Sequence, residues 1–407
     1  MRTRHRAAAL AVAALALVGA TACQPTPDQD AFYTPPRPLP AGGPGTVIRS
    51  RPSTFTLDPV ARTPVPGVRS WQVLYRSQNA GGGGIATSGT VLVPTAAWTG
   101  TGPRPLVTYA VGTRGLGDAC APSYTLSQGS DYEGASIAAL LARGWAVAVT
   151  DYQGLGTPGT HTYTVGPAQG RAVLDVARAA QRIPGTGLSR SGPVGIMGYS
   201  QGGGAAGWAG EMARSYAPDL RVAGIAPGGV PGDLIAVADF VDGGAWVALA
   251  LMAAVGFDTA YPDLNLASYL NARGRDLIAR SKALCLARAD GASGLVTAAF
   301  THRADYVTRD PLATTVWRNR LNASRLGGTT PAAPVFQYHG LLDELVPYDQ
   351  AAATRDRWCA RGADVTFVTL PVAEHVTAMV EGFPLAMQFL AARFAGDPVP
   401  STCGLPA

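Results

Sequence analysis

The chain is 407 residues long, 47% hydrophobic and only 14% charged, enough apolar sequence for a large core with an inserted unit. Its formal net charge of +5 falls to +2 without Arg2, Arg4 and Arg6. No basic run or interleaved aromatic pattern is left, which excludes a nucleic-acid-binding class.

Those three arginines precede an apolar stretch, residues 7–18, and a small-residue cleavage site, Ala20-Thr21-Ala22. The stretch is too short to span a bilayer, so residues 1–22 read as a signal peptide. The mature protein is therefore expected to be secreted. Cys23, directly after the cleavage site, leaves open a lipoprotein anchored through that residue. Residues 23–50, rich in Pro, Gly and Thr, read as a flexible lead-in.

Regular alternation follows. Residues 68–77 and 88–94 read as an opening hairpin with glycines 81–84 in its loop. Strands at 105–111, 145–151, 193–199, 221–226, 334–340 and 364–370 alternate with helix-compatible spans at about 131–143, 169–183, 201–217, 348–361 and 376–395. This rhythm predicts an α/β fold, a mostly parallel sheet flanked by helices. It stops between Gly228 and Arg325, and residues 228–325 read as a helical cap inserted into a core of 51–227 and 326–407. Within it, 240–257 is strongly apolar and 265–289 amphipathic. Asp242, Gly243, Gly244 and Gly256 argue for a lid or core helix there rather than a membrane span.

Gly198-Tyr199-Ser200-Gln201-Gly202 is G-x-S-x-G between the strand at 193–198 and the helix-compatible run from 201. In that strand–turn–helix context the motif is a nucleophile elbow, with the serine hydroxyl exposed at the carboxyl edge of the sheet. The alternative is a glycine-rich connection without chemistry, and the flanking elements argue against it. Ser200 is the expected nucleophile, and the Gln201 amide at the helix start an oxyanion donor.

The partners of such a serine follow in the order acid, then histidine. Asp343, just past the strand at 334–340, is favoured over Glu344 because Leu342 and Leu345 pack that loop. His375 follows the strand at 364–370 by a short loop and is the expected base. His339, within a strand, reads as structural, while His161 and His302 suit surface or supporting roles. Glu374 reads as a solvated loop charge. A second oxyanion donor belongs on the loop after the strand at 105–111, where the Thr113 amide is the candidate.

Asp151-Tyr152-Gln153-Gly154-Leu155-Gly156 lacks the spacing of a phosphate-binding loop and reads as a strand end shaping the acyl pocket. Apart from Cys23 the cysteines are Cys120, Cys285, Cys359 and Cys403, an even set that in an exported chain forms two disulfides. Three pairings are possible; the expected one joins Cys359 to Cys403 and Cys120 to Cys285. No cysteine or histidine spacing suits zinc, and neither a metal nor an organic cofactor is implied.

Taken together and in order, Asp151–Gly156, Cys120-Ala121-Pro122-Ser123, the Ser200 elbow and Tyr338-His339-Gly340 with Asp343 resemble the secretory lipase family from about Pro52 onward. The resemblance implies an α/β-hydrolase core with a helical cap inserted after the sixth strand, acting on acylglycerols and other esters. By matching position Ser200, Asp343 and His375 take the roles of nucleophile, acid and base. Gly112-Thr113-Arg114 departs from the family's pattern at the oxyanion loop.

The expectation is a secreted serine ester hydrolase, a triacylglycerol lipase whose cap sets chain-length preference through residues such as Leu249 and Met252. The alternatives are a carboxylesterase for short-chain or aryl esters and a non-catalytic cell-surface binder. The partner in the first reading is an ester or acylglycerol at a lipid–water interface.

Overall fold

The computed structural model describes residues 25–286, 296–398 and 400–405. The signal-peptide reading of 1–22 and the lipidation alternative at Cys23 lie outside them.

Nine strands form one sheet in the order β1-β2-β3-β5-β4-β6-β7-β8-β9. Its antiparallel edge is β1 (Val47–Ser53), β2 (Val68–Gln78) and β3 (Gly84–Pro94). From β5 (Ala146–Thr150) through β4 (Leu106–Ala110), β6 (Pro193–Tyr199), β7 (Arg221–Gly228), β8 (Val335–Gly340) and β9 (Val365–Leu370) every neighbour is parallel. The composition of the central strands explains that choice. Leu-Val-Thr-Tyr-Ala, Ala-Val-Ala-Val-Thr and Pro-Val-Gly-Ile-Met-Gly-Tyr are buried at every position. Such runs suit a sheet covered on both faces rather than one wetted on one side. Helices α3 (Gly166–Ala180) and α4 (Gln201–Tyr216) pack on each other and on the sheet, as does the long helix His375–Ala395.

The order β5-β4-β6 reverses direction along the sheet. Crevices at the carboxyl ends of strands open where such a reversal occurs, and β6 ends there in Ser200.

The lead-in corrects one expectation. Residues 25–50 are packed in part: Phe32 and Tyr33 are buried against Leu74, and β1 starts at Val47. Aromatic side chains and a β-edge partner outweigh the Pro/Gly composition that suggested a linker. This extra strand also makes the chain break its βα rhythm after the seventh strand, not the sixth.

Among the described residues no strand lies between β7 and β8. The chain forms α5 (Leu234–Phe240), α6 (Val247–Ala260), α7 (Ala272–Ser281) and the helix Thr315–Ala323, with short 3₁₀ turns between them. The apolar run 240–257 is thus broken at 241–246 between two helices. Among the described residues no single helix is long and apolar enough to cross a membrane. Cys120 is bonded to Cys285 and Cys359 to Cys403, with Cα separations of 5.2 and 5.5 Å. The first bridge ties the loop after β4 to the segment after α7. The second ties the C-terminal tail to the helix Tyr348–Cys359.

Candidate active site

The turn after β6 is forced by close packing. A Cβ on Gly202 would sit 1.9 Å from the Ala110 carbonyl oxygen, and one on Gly198 would sit 2.4 Å from the Gly202 carbonyl oxygen. Only glycine lets α4 start this near to β4. Ser200, between them, takes φ 57° and ψ −121°, a conformation costly for a side-chain-bearing residue. Its amide donates to the Gly228 carbonyl oxygen at 3.0 Å, which holds the strained turn against β7.

The turn brings Ser200 Oγ to 3.0 Å from His375 Nε2, and His375 Nδ1 lies 2.7 Å from Asp343 Oδ2. A carboxylate can only accept, so Nδ1 carries the proton and Nε2 presents its lone pair to the serine hydroxyl. The other Asp343 oxygen, Oδ1, accepts the amides of Leu345 at 3.0 Å and Val346 at 2.7 Å. Burial alone would raise the Asp343 pKa, but hydrogen bonds and charge from His339 and His375 hold it well below the usual carboxylate range. Asp343 stays ionised throughout the neutral range.

Four supports of this chain of bonds were not legible in the sequence. His375 is the first residue of its helix, not a loop residue, and Glu374 is the N-cap. The Glu374 carboxylate accepts the Val376 and Thr377 amides at 2.8 and 3.1 Å, so it is a capping group rather than a free charge. Glu344 accepts the His375 amide at 3.0 Å. His339 donates Nε2–H to the Val346 carbonyl oxygen at 2.8 Å, with Asp343 Oδ2 3.3 Å away. Tyr199 donates to the His375 carbonyl oxygen at 2.7 Å. The Glu374 and His339 contacts are local, whereas those of Glu344 and Tyr199 join separate strand ends, which no spacing rule links.

On the far side of Ser200, the Gly112 amide donates to Glu133 Oε1 at 3.0 Å. Among the described residues neither the Gln201 nor the Thr113 amide donates to another protein group. The loop carrying Thr113 is anchored by Arg114, which is buried between Asp131 at 2.8 Å and Glu133 at 3.4 Å and lies over the Tyr132 ring. Of the remaining histidines, His161 is fully buried beside Gln201, and His302 is exposed and paired with Asp242 at 3.3 Å.

From Ser200 an apolar cavity runs into the helices between β7 and β8, with about 1030 Å³ of empty space including its open mouth. Leu234, Val237, Leu249, Ala253, Leu312 and Leu321 line it, with Gln201 and Tyr163 near the serine. Met252 is buried in the same helical cluster as Leu249 but does not line the cavity. Nor do residues 151–156, which corrects the reading of that motif as a pocket wall. Asp151 instead accepts from Ser88 and from the amide and hydroxyl of Ser123, pinning β3, β5 and α1 (Pro122–Gln128) together. Among the described residues no cluster of His, Cys, Asp and Glu could hold a metal ion.

The sheet, the strained serine between a strand and a helix, and the histidine and aspartate reaching it from later strand ends define an α/β-hydrolase. A family model for secretory lipases matches residues 121–402. The chain belongs to the secretory lipase family and is a secreted carboxylic ester hydrolase. It is 31% identical, over 94% of its length and 82% of the relative's, to a secreted triacylglycerol lipase of Malassezia furfur. It is also 31% identical, over 92% of its length and 83% of the relative's, to a probable inactive lipase of Mycobacterium tuberculosis. The crystal structure of Candida antarctica lipase A in its closed state superposes with a TM-score of 0.83 at 28% identity, covering 94% of this chain and 89% of that one.

Proposed function

We propose that the protein hydrolyses long-chain acylglycerol esters through an acyl-enzyme on Ser200. His375 Nε2 removes the Ser200 proton as Oγ attacks the ester carbonyl. The oxygen that becomes negative is met by the Gln201 and Thr113 amides, whose freedom from protein acceptors supports that role. The tetrahedral intermediate collapses, the imidazolium protonates the leaving alcohol, and a water activated by the same nitrogen releases the fatty acid. Asp343 fixes the tautomer and offsets the charge on His375.

Residues 228–325 serve in this reading as the cap over a core of 51–227 and 326–407. The observation that carries the substrate class is the apolar cavity that starts at Ser200 and is walled by those helices. Each acyl methylene buried there would gain about 0.8 kcal/mol, so several carbons outweigh any polar contact at the ester. A lipid–water interface as the working surface is supported by exposed Leu341, Leu342, Val372, Val376 and Val380, which flank Asp343 and His375 in the chain. The bonded Ser200–His375–Asp343 chain supports catalysis in this protein, one of whose relatives is named a probable inactive lipase.

Two measurements test this. A fluorophosphonate probe should label the wild type and spare Ser200→Ala; absence of labelling would leave a binding protein. A series of p-nitrophenyl esters and triglycerides should show kcat/KM rising with acyl length, whereas a maximum at acetate or butyrate would leave a short-chain carboxylesterase.

A further inference from the structure

We propose that the loop between β5 and α3 is a brace that holds both oxyanion donors, His161 gripping Gln201 and Tyr163 gripping Thr113. The inference rests on the assignment of those two amides to the oxyanion given above.

His161 is held at both ring nitrogens. Nδ1–H donates to the Gln153 carbonyl oxygen at 3.0 Å within the loop, and a carbonyl can only accept. Nε2 therefore presents its lone pair, and the Gln201 side-chain amide donates to it at 3.0 Å. Burial holds the ring neutral, lowering its pKa to about 4, so the acceptor persists through the working range. The ring stacks on Tyr152 at 5.8 Å between centroids, and Tyr152 donates to the Val111 carbonyl oxygen at 2.9 Å, at the root of the Gly112-Thr113 turn.

Two residues after His161, the Tyr163 hydroxyl meets the Thr113 hydroxyl at 2.8 Å. Tyr132 donates to the Thr113 carbonyl oxygen at 2.9 Å. Thr113 is thus gripped through its hydroxyl and carbonyl and Gln201 through its side chain, while each amide stays free. Gln201 is also the first residue of α4, directly after the strained Ser200. An anchored side chain there stops the first helical turn from rotating to relieve that strain. Oxyanion donors act because they are fixed before charge develops, so a donor allowed to swing loses much of its effect. One buried loop fixes both.

The test compares His161→Phe, which keeps a ring without an acceptor, with Tyr163→Phe, which removes one oxygen, and His161→Gln, which restores an acceptor. Each is measured for kcat and KM on a soluble ester, for unfolding temperature, and for inhibition by an alkylboronic acid, whose serine adduct is tetrahedral. Both Phe variants should lose about 10- to 100-fold in kcat with KM held within about twofold, and boronate binding should weaken by the same factor. His161→Gln should recover part of both. Unchanged kcat and boronate affinity with a lowered unfolding temperature would overturn the brace and leave a structural loop. Turnover surviving in Ser200→Ala would instead overturn the site assignment beneath it.

Discussion

The sheet core and the helical segment between β7 and β8 solve different physical problems. In the core, strands β4, β5 and β6 are buried at every residue, and backbone approaches at Gly198 and Gly202 leave no room for a methyl group. That density places three side chains from three strand ends within hydrogen-bond reach. The helices of 228–325 bury their side chains less completely, and α6 carries apolar residues nearly all round. They supply apolar area around a cavity rather than atomic placement. Rigidity belongs where bonds are made and broken, and an adaptable apolar wall where a flexible chain is bound.

Substitution in the core tests that division most severely. Ser200→Ala or His375→Ala should cut turnover by about 10⁶ with the fold intact, because members of such a group act as a unit. Asp343→Asn should cost about 10⁴ by leaving the base in the wrong tautomer. Glu344→Gln keeps an acceptor for the His375 amide and should stay within about tenfold of wild type. The reverse order between these two carboxylates, read from steady-state rates, would move the acid to Glu344.

His161, buried in the core, gives a pH signature. The folded pKa of His161 is about 4 against an ordinary 6.5, so below pH 6.5 the unfolded chain takes up a proton that the folded chain refuses. Stability from this group is complete above pH 6.5 and is lost as pH falls toward 4, by about 3 kcal/mol. Denaturant unfolding of wild type and His161→Phe should therefore converge with falling pH. A constant gap between them would contradict a neutral buried ring.

The two bridges sharpen the boundary between the regions. Cys359–Cys403 lies within the core, and its removal by Cys403→Ala should cost roughly 2–4 kcal/mol in global unfolding. Cys120–Cys285 joins the loop after β4 to the segment after α7, so its loss should loosen the helical region as well, visible as faster hydrogen exchange in α7. The smallest effect is the most selective. Leu249→Gln should depress kcat/KM on long esters by about 10- to 100-fold, roughly the value of two buried methylenes, and spare acetate esters. Met252→Gln, off the cavity wall, should act through stability on all chain lengths alike.

Much of the core was legible from sequence. Fully apolar strands, the elbow glycines and the order of Ser200, Asp343 and His375 reflect local requirements, since a buried parallel strand and a tight strand–helix turn each restrict residue type on their own. Composition misled where it stood alone: Pro and Gly in 25–50 suggested a linker, yet Phe32 and Tyr33 bury themselves and β1 adds to the sheet edge.

The sequence by itself determined the strands, the nucleophile turn and the identity of the reacting side chains, because those depend on neighbours within a few residues. Only the tertiary structure decided that Glu344 holds the His375 amide, that Glu374 caps its helix, and that His161 and Tyr163 reach Gln201 and Thr113. Apart from the Glu374 cap, which is local to its helix, each of these is a hydrogen bond between segments far apart in the chain. Its geometry is set by how the sheet orders its strands, which residue types alone do not encode.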